Sequence, residues 1–213
     1  MSPKTGDADG RLVRGERTRT LVLDAAVALA TESGLDGLSL AQLADRLQVS
    51  KSGLFAHWRS KEELELAAIE HARKLWVDRV VAPALGRPRG VRRLFAVHEA
   101  RLAFYTERVL PGGCFFAVAE FEHAGRTGPV ADRLRVVLGE WVTLLERFIA
   151  EAVELGELPA DTDAAQLAFE IDAAGVAALL HTRLLTTGAD HGRRAVLTRL
   201  RALATDPELL PQT

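Results

Sequence analysis

"LSLAQLADRLQVSKSGLFAHW", residues 38–58, carries an apolar repeat that breaks once. Leu40, Leu43, Ala44 and Leu47 recur at helical spacing, Gln48-Val49-Ser50 interrupts them, and a second short run begins at Lys51. Apolar residues at i, i+3, i+4 and i+7 mark one buried helix face. The second run, about Lys51 to His57, offers little to bury beyond Leu54 and the following Trp58. Two short helices joined by a tight turn predict a helix-turn-helix, with Val49 filling the corner. The outer side chains of the second helix are then free for a DNA major groove, which admits one α-helix. On pattern alone, an ordinary helical hairpin inside a bundle is the competing reading.

The flanking residues supply the rest of such a unit. A first helix runs from about Glu16 to Glu32, with Val22, Leu23, Ala26, Leu29 and Ala30 on one face. Gly34 in "SGLDG" is placed to stop it, since glycine takes the left-handed conformation that ends helices. Ser39-x-x-Gln42 and Ser60-x-x-Glu63 have capping-box spacing, in which the two side chains satisfy orphan backbone N–H groups. The second box opens a fourth helix, from Lys61 to about Val81.

Composition extends the helical reading to the whole chain. Of 213 residues, 48% are hydrophobic and only 6% aromatic, with Ala and Leu abundant. That supports a sizeable core and an all-α fold. Pro/Gly breaks at 82–90, 111–113, 125–129 and 156–163 divide the remainder. The resulting helices are about Val91–Val109, Cys114–His123, Val130–Leu155, Ala164–Leu185 and His191–Ala204, nine in all. The domains expected are a disordered arm (1–14), a helix-turn-helix domain (15–60), a larger helical domain (61–204) and a frayed tail (205–213). Residues 1–61 hold nine Lys/Arg against seven Asp/Glu, within a net charge of −2. So slight an asymmetry fits a solvated surface as well as a nucleic-acid face.

One cysteine, Cys114, leaves no intramolecular disulfide and suggests a reducing compartment. The polar N-terminus does not read as a signal peptide. No apolar run approaches the roughly 18 residues of a membrane span. The cytoplasm is the expected location, with no membrane partner. The sequence lacks G-x-S-x-G, P-loop and H-E-x-x-H motifs, so an all-helical enzyme is poorly supported. Glu120, Glu122 and His123 cluster in sequence without metal-ligand spacing, and no metal or cofactor is expected.

Residues 16–64 resemble the DNA-binding domain of the TetR family of bacterial transcription regulators. Four blocks carry the resemblance in order: Thr18-Arg19, "LDAA" (23–26), "QVSKSGLFAHW" (48–58) and "SKEEL" (60–64). Three positions depart from the family pattern. Gln48 stands for the usual turn glycine, Phe55 for a tyrosine whose hydroxyl reaches phosphate, and Trp58 for phenylalanine. The segment "PGGCFFAVAEFEHAGRTGPVADRL" resembles the ligand domains of some members.

The resemblance implies a transcriptional regulator of the repressor class, released from double-stranded operator DNA by a small-molecule inducer. A regulator with no such ligand is the alternative. Thr18, His57 and Lys61 are expected at phosphates, with the N-terminus of the fourth helix. Lys51, Ser52 and Gly53 are expected at base edges, with Gln42 adding a contact and Ser50 and Phe55 completing the interface. Arg11, Arg14 and Arg17 are candidates for the minor groove. A homodimer is implied, because two half-sites need two recognition helices. Its expected interface is Gly175 and Ala178 with Val196, Leu200 and Leu203, the competing reading being that both stripes are internal core.

Aromatic and polar residues on the middle helices suggest a mostly apolar ligand cavity. The candidates are Trp76, Phe95, His98, Tyr105, Cys114, Phe121, Trp141 and Phe148, with ordinary core packing the competing reading of aromatic residues at helical spacing. Cys114 lies near a helix N-terminus, where a thiol is acidified and suited to redox sensing; a buried hydrophobe is the competing reading. The fourth helix is the one element that this reading assigns to both the cavity and the DNA.

Overall fold

The computed structural model describes residues 6–50, 52, 54, 57–185 and 187–212. Every regular element among them is helical. The first, α1, spans Gly6–Ser33, so it begins inside the stretch expected as an arm. Its inner face is Val22, Leu23, Ala26, Val27 and Ala30, all buried. Gly34 ends it at φ +76°, its N–H donating to the Ala30 carbonyl at 3.0 Å.

The second helix, α2, is Leu40–Leu47. Ser39 is extended, and its Oγ accepts the Gln42 N–H at 3.1 Å, so the predicted cap forms. Leu40, Leu43 and Ala44 are buried, and Leu35 and Leu38 of the preceding loop fill the corner. Val49 does not fill it, being exposed. The reason lies in Gln48, whose left-handed φ of 54° swings the chain outward immediately before Val49. Beyond it Leu54 and Trp58 return to the core, and the Arg19 guanidinium lies 4.9 Å from the Trp58 ring centroid.

A long helix follows. Its first part, α3, is Lys61–Trp76, capped by Ser60 Oγ accepting the Glu63 N–H at 3.1 Å. Leu64, Ala68, Ile69 and Ala72 form its buried face. It continues through a π-helical turn, Val77–Val81, into α4, Ala82–Leu85. The turn has a local cause. Pro83 has no N–H for the carbonyl four residues back. One residue earlier the ladder has already widened, with the Ala82 N–H donating to Val77. Such bulges gather at functional sites.

The larger domain is built around α5, Val91–Thr106. Nine of its residues are buried, including His98, Arg101 and Tyr105, so the helix is enclosed on nearly all sides. Around it pack the π turn, α4, α7 (Pro129–Glu154), α8 (Ala164–Leu185) and α9 (Gly188–Leu203). The short α6, Phe115–His123, bridges α1 and α7. The described residues of the tail, 205–212, include a docked segment. Leu210 is buried after a 3-10 turn at Pro207–Leu209, and Arg201 donates to the Pro211 carbonyl at 2.8 Å. No described helix is long and apolar enough to cross a membrane.

Candidate functional site

The described residues of the helix-turn-helix present polar groups above a buried apolar base. Ser52 and Leu54 are helical, and the Leu54 N–H donates to the Ser50 carbonyl at 3.3 Å. Burial of Leu54 and Trp58 fixes this segment against α1 and α2. Thr18, Gln42, Ser50 and Ser52 are exposed, and His57 is half-buried. Lys51, Gly53 and Phe55, expected to read or approach DNA, lie outside the described residues, as do the side chains of Arg11 and Arg14. Lys61 is tethered: its Nζ donates to the Asp36 carbonyl at 2.6 Å and lies 3.6 Å from the Glu65 carboxylate. That holds a positive charge at the start of α3.

Two elements connect this unit to the larger domain. Helix α3 packs on α1, with His71 Nε2 at 2.6 Å from Asp24 Oδ1. Helix α6 grips the loop between α1 and α2. Both oxygens of Glu122 accept backbone N–H groups, of Leu35 at 2.7 Å and Asp36 at 2.9 Å. Arg126 pairs with Asp36 at 2.7 Å and holds that carboxyl below its ordinary value. The Gly112 N–H donates to Thr31 Oγ1 at 2.8 Å, fastening the loop before α6 to the end of α1. So α3 is not the one element shared by both regions.

Inside the larger domain a cavity of ≈250 Å³ opens between α3, the π turn, α5, α6, α7 and α8. Its walls are mostly apolar, with Trp76, Phe116 and Trp141 the largest. The Trp76 and Trp141 rings meet edge to face, their centroids 5.4 Å apart. Charged groups are set into this apolar wall. Arg101 is buried; its Nη1 donates to Asp172 Oδ1 at 2.9 Å and its Nε to the Tyr105 hydroxyl at 2.6 Å. Asp172 Oδ1 also accepts the Trp141 Nε1–H at 2.8 Å. Burial, offset in part by Arg101, pushes the Tyr105 hydroxyl pKa above its ordinary range. At the rim Arg73 Nε pairs with Glu140 at 2.5 Å. Glu120 lines the cavity with no hydrogen bond or ion pair to any described residue, and burial raises its pKa to about 7.

Of the eight expected cavity residues, Trp76, Cys114 and Trp141 line it. Tyr105 stands one layer behind Arg101. Phe95, His98 and Phe148 belong to the core: α5 is enclosed on several sides, so only part of its apolar stripe faces the cavity, and Phe148 on α7 is buried outside the cavity lining. His98 Nε2 lies 3.1 Å from the Gly192 carbonyl on α9, and burial lowers its pKa to about 4. Phe121 is 75% exposed: α6 turns Ala117 and Glu120 to the cavity and Phe121 to solvent. Cys114 does cap α6, but it is buried, and desolvation raises its thiol pKa rather than acidifying it.

The stripe expected at a dimer interface also faces inward. Gly175, Ala178, Val196 and Leu200 are buried within the protomer, and Leu203 is half-buried. A Cβ at Gly175 would collide with the Arg101 guanidinium, so that glycine serves the cavity's ion pair. The opposite faces of α8 and α9 are the open ones. They carry Phe169 (68% exposed), Leu180 and Leu184 (72%), with Ala173 and Ala177 between them and Ala195, Thr198 and Ala202 alongside on α9.

Comparison with known proteins matches both regions. Residues 22–68 match the family described as bacterial regulatory proteins, tetR family, and residues 90–203 the tetracyclin repressor-like C-terminal domain. A TetR transcriptional regulator from Chloroflexus aurantiacus J-10-FL is similar at 25% identity and TM-score 0.83, over 90% of this chain and 98% of that one. AibR, solved with isovaleryl coenzyme A and operator DNA, shares the fold at 21% identity and TM-score 0.63, over 82% and 95%. So does a regulator from Saccharomonospora viridis solved with choline, at 20% and 0.75, over 90% and 99%. No curated protein matches the chain.

Proposed function

The chain belongs to the TetR family of bacterial transcription regulators, and from that membership we propose a cytoplasmic homodimeric repressor that a small molecule releases from operator DNA. One observation carries the release step. The aromatic-walled cavity is bounded by α3 and α6, and each of these helices also holds the helix-turn-helix unit. A ligand that moved either helix would change the separation of the two recognition helices in the dimer. A dimer out of register with successive major grooves loses its second half-site. Relatives support both ligands on this fold: AibR was solved with an acyl coenzyme A and operator DNA, the Saccharomonospora viridis regulator with choline.

In this reading Lys51, Ser52 and Gly53 face base edges, with Gln42 and Ser50 beside them. Thr18, His57 and Lys61 position the phosphates, and Phe55 completes the interface without the hydroxyl of the family's usual tyrosine. Dimerisation uses the exposed face of α8 and α9, Phe169, Leu180 and Leu184.

Mapping bound genomic DNA, followed by gel shifts on the sites found, tests the proposal. Lys51→Ala is expected to weaken binding chiefly to the specific site. Lys61→Ala is expected to weaken all sequences alike and reduce the salt slope by about one unit. Binding without sequence preference, or two variants that bind as wild type does, overturns the assignment.

A further inference from the structure

The charges around the cavity do not cancel. Arg101 is neutralised by Asp172, and Arg73 by Glu140. What remains is Glu120, a carboxyl with no partner among the described residues. It stands at a junction. The aromatic cavity and a neighbouring recess of ≈220 Å³, lined by His123, Leu134 and Arg135, share Glu120 and Leu138. Glu120 therefore lies on the boundary between the two spaces.

We propose that the cavity takes an organic cation, its ammonium on Glu120 and its apolar body against Trp76, Phe116 and Trp141. The proposal rests on the ligand-released reading above and adds the ligand's chemical class. Three features support it. An unpaired carboxylate in an apolar wall is costly until a counter-charge arrives. Aromatic faces attract cations as well as apolar groups. A carboxylate ligand would meet three acidic side chains, and both arginines are already paired.

Glu120 also supplies a pH signature. Burial and the nearby Asp172 raise its pKa to about 7, and Arg101 opposes them. Cation affinity therefore rises as pH passes upward through 7 and Glu120 ionises. The other ionisable groups facing it are the Arg73–Glu140 pair and Cys114 across the cavity, with His123 and Arg135 at the recess.

Titration calorimetry on the full chain decides the matter. The compounds are phenyltrimethylammonium, its uncharged isostere tert-butylbenzene, and phenylacetate, measured from pH 6 to 8 on wild type and Glu120→Gln. The ammonium is expected to bind wild type at least about tenfold more tightly than its isostere, increasingly so at higher pH. Glu120→Gln is expected to abolish that preference and its pH dependence while still binding tert-butylbenzene. That retained binding shows an intact cavity. Equal or tighter binding of the isostere or the anion overturns the proposal, as does binding of none of the three. So does a pH dependence that survives in Glu120→Gln, which would belong to His123. These outcomes leave the release reading standing. Conversely, an ammonium that binds through Glu120 yet leaves operator affinity unchanged overturns release and keeps the ligand class.

Discussion

Glu122 accepts the backbone N–H of Leu35 at 2.7 Å, a contact across 87 residues of sequence. The same carboxylate takes the Asp36 N–H at 2.9 Å. Glu122 lies two positions beyond Glu120 on α6, so a single short helix touches the cavity with one carboxyl and the helix-turn-helix with the next. Gly34 suits this contact twice, since its φ is positive and a Cβ there would crowd the Glu122 carboxylate.

Glu122→Ala should therefore loosen the joint rather than either part. It leaves two N–H groups without their acceptor, one of them on fully buried Leu35. The expected loss of stability is about 1–3 kcal/mol in urea unfolding. Amide exchange should accelerate first at Leu35 and Asp36. Unchanged exchange at those two amides would show that the clamp does not hold the loop.

The open faces of α8 and α9 give a contrast between two leucines. Leu184→Glu places a charge on the exposed face, so it should yield folded monomers in sedimentation at micromolar protein. Leu200→Glu buries a charge in the protomer's own core, where its accessibility is 0%. It should unfold the chain outright, since a buried unpaired charge is among the costliest single changes. A folded, monomeric Leu200→Glu would restore the inward stripe as the interface.

Helix positions were largely legible because periodicity and caps are local. Ser39, Ser60 and Gly34 each act within one helical turn, and the structure places all three as caps or stops. The π turn had a local cause in Pro83, but proline at a helix interior signals only a disturbance, not its form. Direction was harder. Val196 and Leu200 lie on a good apolar stripe, yet a stripe does not say whether its own core or a second copy covers it. The cavity's charged residues left a trace: Arg101 sits on the stripe of Leu94, His98 and Tyr105, a cation where apolar periodicity calls for a hydrophobe. Its partner Asp172 is 71 residues away, and no local pattern joins them.

Gln48 tests the turn. Its φ of 54° and ψ of 40° cost a side chain with a Cβ on the order of 1 kcal/mol relative to glycine. The Gln48 Nε2–H donates to the Asp45 carbonyl at 2.7 Å and offsets part of that. Gln48→Gly should stabilise the protein by up to about 1 kcal/mol in urea unfolding, without moving the dimer equilibrium. A destabilised variant would mean that the side-chain hydrogen bond outweighs the backbone strain.

His98 should make stability fall in acid, with a sign opposite to that of Glu120. Burial lowers the His98 pKa from 6.5 to about 4. Above pH 6.5 the imidazole is neutral in both folded and unfolded chains, and its full contribution is present. Between about 6.5 and 4 the unfolded chain binds the proton and the folded chain does not, so stability is lost as pH falls through that window. The whole effect is roughly 3 kcal/mol, from about 1.4 kcal/mol per pKa unit. Glu120 behaves conversely. Its pKa is raised from 4.5 to about 7, so the folded chain binds the extra proton and stability falls as pH rises through that range. In wild type the two slopes partly cancel between pH 4.5 and 6.5. His98→Gln keeps a donor for the Gly192 carbonyl and removes the titration. Its stability relative to wild type should improve steadily from pH 7 to pH 4, by up to about 3 kcal/mol. Glu120→Gln should instead steepen the acid loss. Urea unfolding of the three proteins across that range reads both slopes as differences, which cancels every group they share. A His98→Gln difference that stays constant with pH would place an ordinary, solvated histidine at this position.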